Sequence, residues 1–174
     1  HIKENPKGNY KASLENGANI IEDEKFNPND FVAKDDEVFI PEGGRYYTSE
    51  YGISILAKEL KQWIDDEELN YNDVKIILPS GTGTTALFIQ KNIPKDIEVL
   101  TVSCVGGSEY LKKQFYELEK DDTLHPTIIK TIKKYHFGKL YEEFYKTWQN
   151  INFQSKVEFE LLYDPLGWKV ALEY

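Results

Sequence analysis

The chain has 174 residues, with 30 Asp and Glu against 21 Lys and Arg, a formal net charge of -9, and 14% aromatic residues within a 40% hydrophobic content. That length and apolar content suit one folded domain or somewhat more and exclude a disordered tail, while the acidic balance lacks the basic stripe that nucleic-acid phosphates require. No apolar run is long enough to span a bilayer and no signal peptide opens the chain; the single cysteine, Cys104, excludes an internal disulfide or a cysteine zinc cluster and points to a cytoplasmic, reducing compartment.

The chain contains no methionine, starts at His1 and ends on an apolar helical run at 169–174 that has no Gly, Pro or polar stop. We therefore expect a piece of a longer chain. In order, the pattern predicts a short helix over 7–16 that stops at Gly17, a short strand at 18–21, and an acidic loop at 22–36 with Asn-Pro and Asn-Asp turn signals. A short strand at 38–40 follows, ending at Pro41 and the Gly43–Gly44 pair. Ile53, Leu56, Ala57, Leu60, Trp63 and Ile64 then repeat at helical spacing, with Ser49 as N-cap. Residues 74–78 are an almost unbroken apolar run, which reads as a strand buried on both faces of a parallel sheet. A glycine–threonine turn at 80–85 leads into a helix beginning near 86–90. Residues 97–104 form the next strand, Gly106 and Gly107 the next turn, and residues 109–118 a helix capped by Ser108. A last aromatic helix at 140–148 carries Tyr141, Phe144, Tyr145 and Trp148. Strand, glycine turn and helix in repetition mean an α/β fold with a mainly parallel sheet flanked by helices, whose ligands sit at the carboxyl ends of the strands.

The segment that carries chemistry is the strand at 74–78 followed by Ser80-Gly81-Thr82-Gly83-Thr84-Thr85-Ala86. Glycines let the backbone approach a ligand closely, the first-turn N–H groups of a helix have no partner of their own, and threonine hydroxyls add neutral donors. The fitting ligand is a phosphate. Because a helix dipole contributes only about 0.3–1 kcal/mol per charge, several donors must converge, the more so in a chain that repels anions as a whole. A P-loop is excluded, since no Gly-Lys-Ser/Thr follows at the required spacing. The dinucleotide fingerprint matches in its first half only. The next strand ends on Thr101-Val102-Ser103-Cys104, and the nearby acid, Glu98, lies at that strand's beginning. A monophosphate cofactor such as pyridoxal phosphate needs no ribose acid. A tight turn with threonine caps and no ligand is the remaining reading.

These residues, together with Ile40-Pro41-Glu42-Gly43-Gly44-Arg45, the Glu50-Tyr51-Gly52 helix start, Pro6-Lys7-Gly8-Asn9-Tyr10 with Gly17-Ala18 behind it, and Tyr163-Asp164-Pro165, resemble, in order, the family of 1-aminocyclopropane-1-carboxylate deaminase and D-cysteine desulfhydrase. These are pyridoxal-phosphate enzymes of the tryptophan synthase β-like fold, fold type II. The resemblance implies that Thr82, Gly83, Thr84 and Thr85, preceded by Gly81, surround the cofactor phosphate, and that Gly43 and Gly44 form a turn facing the cofactor or substrate. It also implies an incomplete fold, with residues 1–36 the end of the small domain, 37–174 most of the cofactor domain, and parts at both ends outside the sequence. The family's Schiff-base lysine sits in a Ser-x-Asn-Lys type segment, and no lysine here has that context, so no catalytic residue is expected in this chain. The implied activity is deamination of a small amino acid to ammonia and a 2-oxo acid, with a homodimer implied by resemblance alone. The alternatives are a dinucleotide-binding oxidoreductase domain and a noncatalytic fragment or interaction domain.

Other chemistry-bearing residues fit structural roles better. His1, His125 and His136 have no metal-ligand spacing, so no metal site is expected. No basic neighbour lowers the pKa of Cys104, which reads as a buried, inert thiol. The aromatic residues at 141–148 read as helix packing, and Asp35-Asp36-Glu37 and Asp65-Asp66-Glu67-Glu68 as solvated surface. Arg45, the chain's one arginine, either pairs with a substrate carboxylate or caps its turn.

Overall fold

The computed structural model describes residues 4–174, so His1 lies outside the described residues. The chain divides into two units, His1–Phe39 and Ile40–Tyr174. In the first, helix α1 (Gly8–Glu15) ends as expected at a left-handed glycine. Gly17 has φ 83°, and its N–H donates to Leu14 O at 3.0 Å while Ala18 N–H donates to Ser13 O at 2.9 Å. The strand expected at 18–21 does not form. Ile20 and Ile21 are exposed and find no ladder partner among the described residues. Residues 22–36 are loop with one 3-10 turn (Pro28–Asp30), and Phe31 packs between Phe26 and Phe39. The strand expected at 38–40 fails in the same way, with Val38 and Ile40 exposed and unpaired.

The second unit holds a three-stranded parallel sheet in the order β1 (Lys75–Ser80), β2 (Glu98–Ser103), β3 (Thr127–Ile129). Ile76 pairs with Val99, Leu78 with Thr101 and Ser80 with Ser103, while Val102 pairs with Ile129. Because side chains alternate across a strand, β2 feeds two cores. Val99 joins Ile76 and Leu78 against α2 (Ser49–Asp66) and α3 (Thr84–Asn92), where Ala57, Ile64, Ala86 and Ile89 are buried. Val102 and Ile129 face the other way, onto Phe144 of α5 (Glu142–Ser155) and Leu166 and Val170 of α6 (Asp164–Glu173). A third cluster, Leu87, Phe88, Leu111 and Phe115, joins α3 to α4 (Ser108–Leu118). Each fully buried Val, Leu, Ile or Phe among them contributes roughly 1.5–3 kcal/mol of transfer free energy, and the alanines less.

The expected α/β class with a parallel sheet flanked by helices is therefore the observed one. The differences are local. β1 is half-buried rather than buried on both faces, because it is an edge strand of this sheet and Pro79 sits where an edge tolerates a missing donor. On α2, Leu56 and Trp63 stay exposed, since the buried stripe runs through Ile53, Ala57, Leu60 and Ile64. Ser49 and Ser108 begin their helices without capping them; the flanking residues are Thr48 and Gly107. α5 starts after Tyr141 and runs to Ser155, and α6 begins at Asp164 with Pro165 in its first turn. No helix among the described residues is long and apolar enough to cross a membrane.

Candidate phosphate site

At the carboxyl end of β1 the chain turns through Gly81, Thr82 and Gly83 into α3. Gly83 is the hinge of this turn, with φ 78°, and a Cβ there would lie 2.4 Å from Phe115 Cε1 and 2.5 Å from Leu111 Cδ1. Only glycine satisfies both the left-handed backbone and this close approach to α4. The α3 ladder begins at Leu87 N–H, which donates to Gly83 O at 3.0 Å, so the N–H groups of Thr84, Thr85 and Ala86 have no intrahelical acceptor.

A cleft of about 300 Å³ opens here. Gly81, Thr82, Gly83, Thr84 and Thr85 all line it, as does Gly43, so the structure gathers six of the seven expected site residues. Gly44 is not at the cleft; it stands behind the turn, where its carbonyl accepts from Ser49 Oγ at 2.5 Å. The Thr82 and Thr84 hydroxyls lie 3.2 Å apart. Below them Ser80 Oγ and Thr101 Oγ1 share a buried hydrogen bond of 2.7 Å, and Cys104 N–H donates to Ser80 O at 2.8 Å, which fixes the ends of β1 and β2 together. The other walls were not legible in the sequence as site residues: Glu42, Val105, Tyr110 and Tyr163. Tyr163 reaches Gly81 from the start of α6, its hydroxyl 3.2 Å from where a Gly81 Cβ would sit, and its ring packs on Phe137 at 4.9 Å. Burial, reinforced by Cys104, Glu160 and Glu42, raises the Tyr163 phenol above its ordinary range, so it remains a neutral hydroxyl at physiological pH.

Among the described residues that line the cleft there is no lysine, arginine or histidine. The donor set is neutral: backbone N–H groups at a helix start and threonine hydroxyls, with glycines that allow close approach. Such a set suits a small phosphate held by hydrogen bonds rather than by an ion pair.

The remaining candidates fall elsewhere. Arg45 is the C-cap residue of the Glu42–Gly44 turn and does not line the cleft; its guanidinium bonds to Gln114 and Glu117 of α4. Cys104 is buried with Val102, Phe144 and Leu166, and burial, the leading cause, pushes its thiol up to about 12, as the inert reading requires. His125 Nε2 lies 3.0 Å from Glu119 O, its ring packed on Tyr116 and Phe115; His136 is exposed. Phe144 packs in the core, whereas Tyr145 stacks on Trp148 and stays half-exposed, and Trp148 Nε1–H donates to Phe159 O at 2.7 Å. Asp65 is taken up by Lys61 and the Tyr71 hydroxyl, and Asp66 accepts from Gln62 at 2.8 Å. No group of His, Cys, Asp and Glu with metal-holding geometry occurs among the described residues.

No family model and no curated protein matches the chain by sequence. A solved structure described as an ACC deaminase homologue matches it with a TM-score of 0.59 and 15% identity, over 77% of this chain and 43% of that one. The chain thus spans less than half the length of that neighbour and shares its fold.

Proposed function

We propose that this chain supplies the phosphate grip of a pyridoxal-phosphate enzyme that deaminates a small amino acid, of the 1-aminocyclopropane-1-carboxylate or D-cysteine kind, to ammonia and a 2-oxo acid. The observation that supports this most directly is the cleft at the end of β1, where a left-handed glycine, three threonines and an open helix start converge. The fold shared with an ACC deaminase homologue points the same way. When bound, pyridoxal phosphate supplies an electron sink that labilises bonds at the amino-acid carbon. The chain's own residues hold and orient: the N–H groups of Thr84 to Ala86 and the hydroxyls of Thr82, Thr84 and Thr85 bind the phosphate, and Gly43 and Tyr163 limit the cleft on either side.

On this reading residues 1–36 end the small domain and 37–174 form most of the cofactor domain of a homodimeric enzyme. No lysine among the described residues lines the cleft; on this proposal the lysine that carries the cofactor covalently belongs to a part of the enzyme outside these 174 residues. A dinucleotide is the poorer fit, because Glu98 lies at the amino end of β2, where Lys75 Nζ at 2.6 Å and Thr127 Oγ1 at 2.9 Å occupy it. The test is borohydride reduction of the full-length protein with pyridoxal phosphate, followed by digestion and peptide mapping. We expect one modified lysine, outside the present chain; a protein with no modified lysine contradicts the proposal.

A further inference from the structure

We infer that Arg45 is a positioning residue for the phosphate loop, acting through Gly43 and Thr82 without touching the ligand; the inference rests on the phosphate site proposed above. The turn at Glu42–Gly44 packs directly on the loop. A Cβ on Gly43, at φ 71°, would lie 2.5 Å from Thr82 Oγ1 and 2.7 Å from Thr82 Cγ2, so the turn's backbone is the wall against which the Thr82 side chain rests. Two contacts hold that wall from outside. Ser49 Oγ bonds to Gly44 O, and the Arg45 guanidinium bonds to both Gln114 and Glu117, Gln114 being only 5% exposed.

Helix α4 therefore braces the loop twice. Leu111 and Phe115 fill the space behind Gly83, and on the same stretch of the helix Gln114 and Glu117 hold the residue that follows Gly44. Both bonds leave one guanidinium nitrogen, Nη1, set in a rigid planar group; a lysine ammonium on a flexible stem holds two acceptors less rigidly. Without the Arg45 contact, the turn keeps its Ser49 bond and its own Gly44 N–H to Pro41 O bond of 2.9 Å but loses its tie to α4. Thr82 then loses its backing and the 3.2 Å register of its hydroxyl with that of Thr84.

The experiment is a calorimetric titration with pyridoxal phosphate of the wild type, Arg45→Ala, Arg45→Lys, Thr82→Ala and the double variant Arg45→Ala/Thr82→Ala, each with its melting temperature. The expected result is a roughly three- to tenfold loss of affinity for Arg45→Ala, the size of one misplaced hydrogen bond. Arg45→Lys recovers part of it, and Arg45→Ala costs nothing further once Thr82 is already alanine, because the two act as one unit. Independent, additive losses, or a lowered melting temperature with unchanged affinity, overturn the inference. Should Arg45→Ala fail to fold, Glu117→Gln at the exposed end of the bracket carries the same test and the same predicted coupling to Thr82. A wild type that does not bind pyridoxal phosphate overturns the phosphate site itself and this inference with it. Binding that Thr82→Ala weakens and Arg45→Ala leaves alone overturns only the role of Arg45.

Discussion

Gly83 concentrates two constraints in one position, a left-handed φ of 78° and contact distances that leave no room for a methyl group. A Gly83→Ala substitution must pay both the backbone strain and the overlap with Phe115 and Leu111, at about 1–3 kcal/mol for each. The expected outcome is a lowered denaturation midpoint together with loss of phosphate binding, read by urea titration and ligand titration on the same sample. Cys104 makes a separate prediction. Its thiol is raised by burial to about 12, against about 8.5 in an unfolded chain. A raised folded pKa means that the contribution to stability is complete below the unfolded value and is lost as pH rises through the folded one. Stability should therefore decline between roughly pH 8.5 and 12, and Cys104→Ala should flatten that limb of the pH–stability profile. Below pH 8.5, iodoacetamide should modify the native protein only as fast as the structure opens. Rapid labelling of folded protein would show the thiol to be accessible.

Helix α4 is the element on which both the core and the cleft depend, since Leu111 and Phe115 are fully buried and also form the surface behind Gly83. Replacing Phe115 by alanine should cost about 3–5 kcal/mol in stability, the range for a large aromatic removed from a core. It should also weaken phosphate binding, because Gly83 loses its backing; a stability loss with unchanged affinity would show the loop to be rigid by itself. The elements around the site were legible in the sequence because each combines local signals with its tertiary role. Residues 74–78 are apolar apart from Lys75 and lead to glycines, and Thr84 to Ala86 begin a helix that the α2 and α4 side chains then bury. The short apolar runs at 18–21 and 38–40 carry the same β-branched residues yet form no strand, because a strand exists only where a partner completes its ladder. β3 (Thr127–Ile129) is equally short and β-branched, and it forms because β2 completes its ladder. Tyr163 and Arg45 lie far from the loop in sequence, so the contact of one with Gly81 and the bracket of the other on α4 are set by packing, which no local pattern encodes. In Arg45 the sequence offered a lone cation after two glycines, a signal that fits a substrate carboxylate as well as it fits the structural ion pair that forms.

For the molecule as a whole, a net charge of -9 repels any anion that approaches, and the cleft offers no cationic side chain among the described residues that line it. On the proposed reading, affinity for phosphate comes from the fixed N–H groups and hydroxyls of one strand–loop–helix unit, which α4 and the turn at Glu42–Gly44 pack against. The sheet, the three helices on one face and the two on the other serve to present that unit at the carboxyl edge of the strands. The measurement that bears on this most directly is a titration with pyridoxal phosphate followed by phosphorus NMR, comparing the wild type with Thr84→Ala/Thr85→Ala at matched melting temperature. The predicted result is saturable binding that inorganic phosphate displaces, weakened about tenfold or more in the double variant as two hydroxyl donors are lost. Equal binding by the two proteins, or no displacement by phosphate, would contradict the assignment of the glycine–threonine loop as the phosphate site.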